Sequence, residues 1–341
     1  MRNKLFDLKI LKSSQFNFPI LSIGNLALGG TGKTPMTEWL ISHLKNDYKI
    51  ATLSRGYKRR TKGFALANEK STALEIGDEP MQFYQKFQDI TVAVGEERLV
   101  AIPQILYQKP NTELIILDDA MQHRRVDPGY TVMLTEYDNL YTRDLIFPCG
   151  DLRDIRSSAK RANCIIVTKC PADLKMEDSI RISEEVKSHE KQTVYFTTIN
   201  YGTPYHLVDG TKREINTNDS ILLACGIANP VALKFYLERK VQFYEMSQYR
   251  DHHIYTSSDL QELLKKFEIF SVNKTAKLIL TTEKDAVRLT KFKEELAGIP
   301  IFVIPIAHEF LFHQENAFLE QISAFIRQFE PRGNQNSIVQ D

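Results

Sequence analysis

The string ALGGTGKT, residues 27–34, constrains this chain most, because it directly follows the apolar run FPILSI (18–23) and precedes the helix-compatible MTEWLISHL. Glycines at 29, 30 and 32 admit backbone geometries that side-chain-bearing residues resist. Successive N–H groups can then converge on one anion, assisted by the helix terminus that follows. Gly32, Lys33 and Thr34 stand in register with the G-x-x-x-x-G-K-[ST] phosphate loop, and Ala27 replaces its first glycine. The expected cradle for a nucleotide polyphosphate is therefore Ala27, Leu28, Gly29, Gly30, Thr31, Gly32, Lys33 and Thr34. Lys33 would reach the terminal phosphates, and Thr34 would ligate the Mg²⁺ bound to them. A Gly-rich surface turn that happens to carry a lysine is the plainer alternative. The strand–loop–helix context argues against it, and no G-x-G-x-x-G suggests a dinucleotide instead.

The loop needs an acidic partner, and ELIILDD (113–119) supplies one. A carboxylate ending an apolar strand faces the crevice where ligands bind in open α/β sheets. Asp118 is expected to anchor Mg²⁺ directly or through water, with Asp119 completing the site.

Further apolar runs at 49–54, 90–94, 131–137, 164–169, 220–226, 241–246, 277–285 and 301–306 alternate with helix-compatible segments. This grammar predicts an α/β fold: a P-loop-type, mostly parallel sheet covered on both faces, plus a smaller second α/β domain. The expected division is a first domain over 1–195, a hairpin or linker over 196–217 turning at Asp209–Gly210, a second domain over 218–329 ending in a helix at 314–329, and a loose tail over 330–341.

A formal net charge of +1 among 341 residues gives no concentrated basic surface and argues against nucleic acid as a partner. Four cysteines without a C-x-x-C pair point to reduced thiols rather than a metal or disulfide framework. No run of about 18 apolar residues suggests a membrane span. HEFLFH (308–313) has one residue too many for a metalloprotease H-E-x-x-H, and TKCP (168–171) breaks the base-reading N-K-x-D of GTPases.

The ordered strings PILSIGNLALGGTGKTP (19–35), LSRGYKR (53–59), GDEP (77–80), ILDDAMQHRR (116–125), FPCGDLRD (147–154), TKCP (168–171), CGIANP (225–230), DHHIY (251–255) and TTEKDAVRL (281–289) resemble the tetraacyldisaccharide 4'-kinases over nearly the whole chain. The resemblance implies Mg²⁺-dependent transfer of the ATP γ-phosphate to the 4'-hydroxyl of a tetraacylated glucosamine disaccharide 1-phosphate. It also implies a β-stranded linker between the domains, work at the cytoplasmic face of the bacterial inner membrane, and no obligatory protein partner.

Residue roles follow by the same likeness. Asp78 matches the family's catalytic aspartate, the preferred base; as residue chemistry alone, Asp-Glu-Pro equally suits a helix N-terminus. His252 and His253 match its D-H-H motif, of which one histidine is expected to reach Asp78, since neighbours in extended chain point oppositely. Arg153 would neutralise phosphate charge, while Asp154, where Glu is usual, occupies a position tied to metal binding. Gln122 and His123 are placed on the acceptor side, though Ala120 and Met121 depart from the usual Gly-Phe. Arg55 and Tyr57 are expected to meet the substrate. With Lys58, Arg59, Arg60 and Lys62 they form the densest basic run, suited to an anionic lipid or simply to water. The family usually carries a longer apolar segment ahead of RNKLFD. Here Leu5, Phe6, Leu8, Ile10, Leu11, Phe16 and Phe18, mixed with Lys4, Lys9 and Lys12, are expected either to form an interfacial element or, equally, to pack on the sheet. Competing readings are a kinase for a soluble small molecule and a P-loop ATPase or switch.

Overall fold

A computed structural model describes residues 2–8, 10–270 and 276–329. In chain order the strands are β1 (Ser14–Asn25), β2 (Ile50–Ser54), β3 (Ala65–Leu66), β4 (Thr91–Val94), β5 (Leu114–Leu117), β6 (Val126–Glu136), β7 (Cys164–Thr168), β8 (Thr193–Tyr201), β9 (Tyr205–His206), β10 (Asp219–Cys225), β11 (Phe243–Gln248), β12 (Ala276–Thr282), β13 (Ile301–Ile304) and β14 (Ile306–Phe310). The helices are α1 (Arg2–Asp7), α2 (Lys33–Leu44), α3 (Ala73–Ile76), α4 (Asp78–Lys86), α5 (Arg98–Gln108), α6 (Met176–Val186), α7 (Val231–Lys240), α8 (Ser257–Ile269), α9 (Glu283–Leu289) and α10 (Glu315–Ile326).

Two sheets result. The larger runs β14-β8-β7-β6-β1-β5-β2-β4-β3 and is parallel except at its two edge strands. The smaller runs β11-β10-β12-β13-β9, parallel except for β9. Strands β1, β2, β5 and β7 are apolar and buried on both faces where they pair, as a sheet covered by helices on either side requires. β1 lies between β5 and β6. The phosphate loop, Asp118 and Ser54 therefore leave the carboxyl ends of β1, β5 and β2 at one rim of the sheet.

The course of the chain departs from the expected division at both boundaries. Residues 196–201 lie in β8 of the larger sheet, and α6 and β8 were not distinguished by the periodicity. IFVIPI is not one strand. Pro305, lacking an N–H, splits it into β13, in the smaller sheet, and β14, which pairs with β8 from Tyr201↔Ile306 to Thr197↔Phe310. α10 then packs Phe318, Ile322, Phe325 and Ile326 into the core formed by Trp39, Leu40 and Tyr195. Residues 306–329 thus complete the first unit rather than the second. The Asp209–Gly210 turn is present, with Gly210 N–H donating to the His206 carbonyl at 2.9 Å. The tail from 330 lies outside the described residues.

α4 and α9 meet where the two sheets adjoin. Lys86 on α4 pairs with Glu38 of α2 at 2.8 Å and with Glu283 of α9 at 2.6 Å, and Gln82 donates to Glu38 at 2.8 Å. Both carboxylates are buried.

Candidate active site

α2 begins at Lys33 with no side-chain cap, because Gly32, in the left-handed region at φ 87°, turns the chain directly into it. Among the described residues, no protein acceptor faces the N–H groups of Gly30, Gly32, Lys33 or Thr34. Such a row of free donors at a helix start suits an anion. Leu28 is not part of it: its N–H donates to the Asp151 carbonyl at 2.6 Å, and its side chain is exposed.

The acidic pair beside this loop divides its work. Asp118 is buried, touching only the Thr37 and Ser54 hydroxyls at the long distance of 3.4 Å each. Burial, then Asp119 and Glu79, push its carboxyl up to about 7. Asp119, at φ 47°, instead faces Arg153, which grips both its oxygens, and Lys33 at 3.8 Å. Burial raises its pKa, but Lys33 and Arg153 outweigh that and hold it below the ordinary carboxylate range. Asn25, the last residue of β1, accepts from Lys33 at 3.2 Å and from Arg153 at 2.6 Å. Burial lowers the pKa of Lys33, opposed by Asp119.

Across the mouth stands Asp78, first residue of α4. Its position depends on a close backbone crossing. Gly77 has φ 97°, and a Cβ there would come within 3.1 Å of the Gly56 Cα. Asp78 is buried at the junction with the second unit, where Arg288 donates from Nε to Oδ1 at 2.6 Å and from Nη2 to Oδ2 at 2.7 Å. His252 Nδ1 donates to Oδ2 at 2.7 Å. Burial works to raise the Asp78 pKa, but these hydrogen bonds overcome it, so the carboxylate is ionised at neutral pH. The other face of His252 meets Lys284 at 3.2 Å and the edge of Tyr57 at a centroid distance of 5.8 Å. Its φ of 61° sends His252 and His253 to opposite sides. His253 stacks on Tyr249 and pairs with Asp259 on α8 at 3.1 Å, away from Asp78.

The remaining expected residues are scattered along the rim. Arg55 and Tyr57 are exposed, but Arg59 of the same basic run turns inward to Glu96. Gln122 donates to the Asn25 carbonyl at 2.7 Å, bracing the end of β1. His123 Nε2 lies 3.2 Å from the Glu96 carbonyl, and burial lowers its pKa. Asp154 does not join the other two acids. Its buried carboxylate accepts from Asn3 at 2.6 Å and Arg161 at 3.1 Å, fastening α1 to the 145–155 loop. Among the described residues no group of three His, Cys, Asp or Glu side chains forms a metal cluster.

Sequence reasoning missed Arg288, Arg98 and Glu79. Arg288 lay inside a quoted motif, but only the fold reveals that α9 reaches Asp78. Arg98, buried at the start of α5, donates to the Gly95 carbonyl at 2.9 Å; burial lowers its pKa to about 10, so it remains a cation acting on Asp118. An arginine opening a helix after a crevice-facing strand was its only signal. Glu79 acts electrostatically on both Lys33 and Asp118, so consecutive residues of one turn face the two halves of the cleft.

Unpaired N–H donors at a helix start and an ionised, hydrogen-bonded carboxylate across from them are features of a kinase of the P-loop class. A profile of the tetraacyldisaccharide-1-P 4'-kinase family matches residues 1–327. The tetraacyldisaccharide 4'-kinase of Flavobacterium johnsoniae is 42% identical over 333 residues, covering 97% of this chain and 94% of the relative. That of Bacteroides thetaiotaomicron is 40% identical, covering 96% and 90%. The chain belongs to this family. Its fold is similar to that of LpxK from Aquifex aeolicus, crystallised in complex with ATP, with a TM-score of 0.72 at 23% identity over 95% of this chain and 93% of the other.

Proposed function

We propose that this chain transfers the γ-phosphoryl group of ATP to the 4'-hydroxyl of a tetraacylated glucosamine disaccharide 1-phosphate, a step of lipid A biosynthesis. The observation that carries the site assignment is the turn at 78–79: Glu79 acts on the Lys33–Asp118 side while Asp78 is held by His252 and Arg288.

The free N–H groups of Gly30, Gly32, Lys33 and Thr34 and the Lys33 ammonium bind the β- and γ-phosphates. The 4'-oxygen attacks the γ-phosphorus as the bond to the β–γ bridging oxygen breaks, leaving ADP. Asp78 orients that hydroxyl. A carboxylate offers about four acceptor sites. Arg288 and His252 occupy three, so the open lone pair on Oδ1 receives the hydroxyl hydrogen. Its low basicity suits the task, because a loose phosphoryl transition state leaves the proton on the nucleophile until bond formation is advanced. The proton then passes to the Asp78–His252 pair. Arg153, held by Asp119, faces the charge that develops on the transferred group.

Mg²⁺ fits Asp118 and Thr34. A carboxylate with only two long hydroxyl contacts, raised to about 7 by burial, Asp119 and Glu79 against the pull of Lys33 and Arg98, is one that a divalent ion would relieve. When bound there, the ion would supply charge neutralisation to the phosphates. Asp119 is committed to Arg153, and Asp154 to Asn3 and Arg161.

The acyl chains enter along an apolar rim. Leu8, Ile10 and Leu11 after α1, Leu28 on the phosphate loop, and Leu145, Ile146 and Phe147 are all exposed, and hydrogen bonds from Leu28 and Asn3 to the 145–155 loop join these segments. This rim would rest on the cytoplasmic face of the inner membrane. Among the described residues no helix is long and apolar enough to cross it.

The decisive experiment measures phosphate on the acylated disaccharide 1-phosphate with wild type and Asp78→Asn. Transfer should require the lipid, and Asp78→Asn should lower kcat by about 10²–10⁴ with little change in KM for ATP. Equal phosphate release without lipid would instead favour an ATPase, and undiminished transfer by the variant would remove Asp78 from the mechanism.

A further inference from the structure

His308 lies in the HEFLFH string that carries no metalloprotease geometry, yet it is among the most enclosed polar side chains, 3% exposed on β14. Its Nε2 is 2.9 Å from the carbonyl of Gly32, and its Nδ1 is 2.9 Å from Thr197 Oγ1 on β8. A carbonyl oxygen only accepts, so Nε2 carries the hydrogen and Nδ1 accepts from the Thr197 hydroxyl. Thr197 thereby fixes the tautomer. The preceding carbonyl is held in the same way, since Thr168 Oγ1, at the end of β7, donates to the Thr31 carbonyl at 3.0 Å.

A trans peptide is planar, with its C=O and N–H pointing in opposite directions. Pinning the Thr31 and Gly32 carbonyls from behind therefore aims the N–H groups of Gly32 and Lys33 into the cleft. We propose that His308 is a positioning residue for the phosphate loop, holding the Gly32 carbonyl so that the Lys33 N–H points at the nucleotide polyphosphate. This rests on the reading of residues 29–34 as the nucleotide cradle. Burial holds the imidazole far down, at about 4, so it stays neutral and the contact persists at every physiological pH. Gly32 is also required on this side: a Cβ there would lie 2.8 Å from His308 Nε2. The clamp sits two residues past Ile306, whose N–H donates to Glu283 at 3.2 Å, so the strand returning from the second unit delivers it.

The test compares His308→Leu, His308→Gln and Lys33→Ala in the full chain, using ATP and the acylated disaccharide 1-phosphate. Each KM, kcat and the ATP dissociation constant are measured, with circular dichroism to verify folding. His308→Leu should weaken ATP binding by on the order of tenfold to a hundredfold while the lipid KM stays put. His308→Gln, whose amide nitrogen replaces Nε2 as donor, should recover most of the loss. An ATP dissociation constant for His308→Leu within twofold of wild type overturns the proposal, as does a glutamine variant no better than leucine. If His308→Leu fails to fold, His308→Asn decides: its shorter amide falls short of the Gly32 carbonyl, so weaker ATP binding supports the clamp and unchanged binding refutes it. Lys33→Ala separates the two levels, since full activity in that variant would sink the cradle reading itself.

Discussion

At the scale of single residues, the adjacent histidines show why spacing alone could not assign the site. Both lie in one D-H-H string, and only the left-handed backbone at His252, which costs about 1–2 kcal/mol for a non-glycine residue, decides which reaches Asp78. His252→Ala is expected to lower kcat by about 10²-fold and to shift the acid limb of the pH–rate profile. His253→Ala, which removes a stacking partner of Tyr249 and the contact with Asp259, should leave kcat within about twofold and lower the melting temperature instead. Equal kinetic losses in the two variants would contradict the assignment. The loop, Asp118 and Asp78 drew attention in the sequence because their chemistry is local and their spacing rigid, and the fold sets them at one rim of the sheet and at its junction with the second unit. Asp154 instead meets Asn3 and Arg161, partners that no local pattern announces.

At the scale of elements, strands β1, β2, β5, β6 and β7 could be read directly, since strands buried on both faces are near-continuous apolar runs. β8 could not. TVYFTTINY mixes apolar and polar residues because its far side meets an antiparallel edge strand rather than a covered parallel one. The 145–155 loop was likewise noticed for Arg153 and Asp154, and its neighbours revealed themselves only as exposed side chains. Three consecutive large exposed apolar residues cost solubility without a partner, and on the proposed reading the acylated acceptor supplies one. Phe147→Asp is therefore expected to reduce flotation with vesicles of anionic phospholipid and to raise the lipid KM, leaving the KM for ATP unchanged. Unaltered flotation would detach this loop from the membrane reading.

At the scale of the whole molecule, the junction between the sheets carries a charge imbalance: two buried carboxylates, Glu38 and Glu283, share the single Lys86 ammonium. Burial, then Glu283, push Glu38 up to about 7, while Lys86 and Gln82 pull the other way. Burial lowers the Lys86 pKa, but the two carboxylates outweigh it, so the lysine stays protonated. A carboxyl raised above its unfolded value of 4.5 gives stability that is fully present below that value and is lost as pH rises through about 7. Glu38→Gln imitates the protonated form. Its melting temperature should match wild type near pH 5 and exceed it at pH 8, by roughly 2 °C for a difference on the order of 1 kcal/mol once solvent screening at Lys86 is allowed for. Parallel melting curves across that range would place the pH dependence elsewhere.

The return of the chain through Pro305 has a consequence for how the molecule is made. Because β14 and α10 close the nucleotide-holding unit, the intervening hundred or so residues are an insertion within it. A ribosome must release the chain through Phe310 before that unit can assemble its full sheet. Termination anywhere in the inserted residues then costs that unit its edge strand and the imidazole behind its phosphate loop, rather than merely an appended lobe.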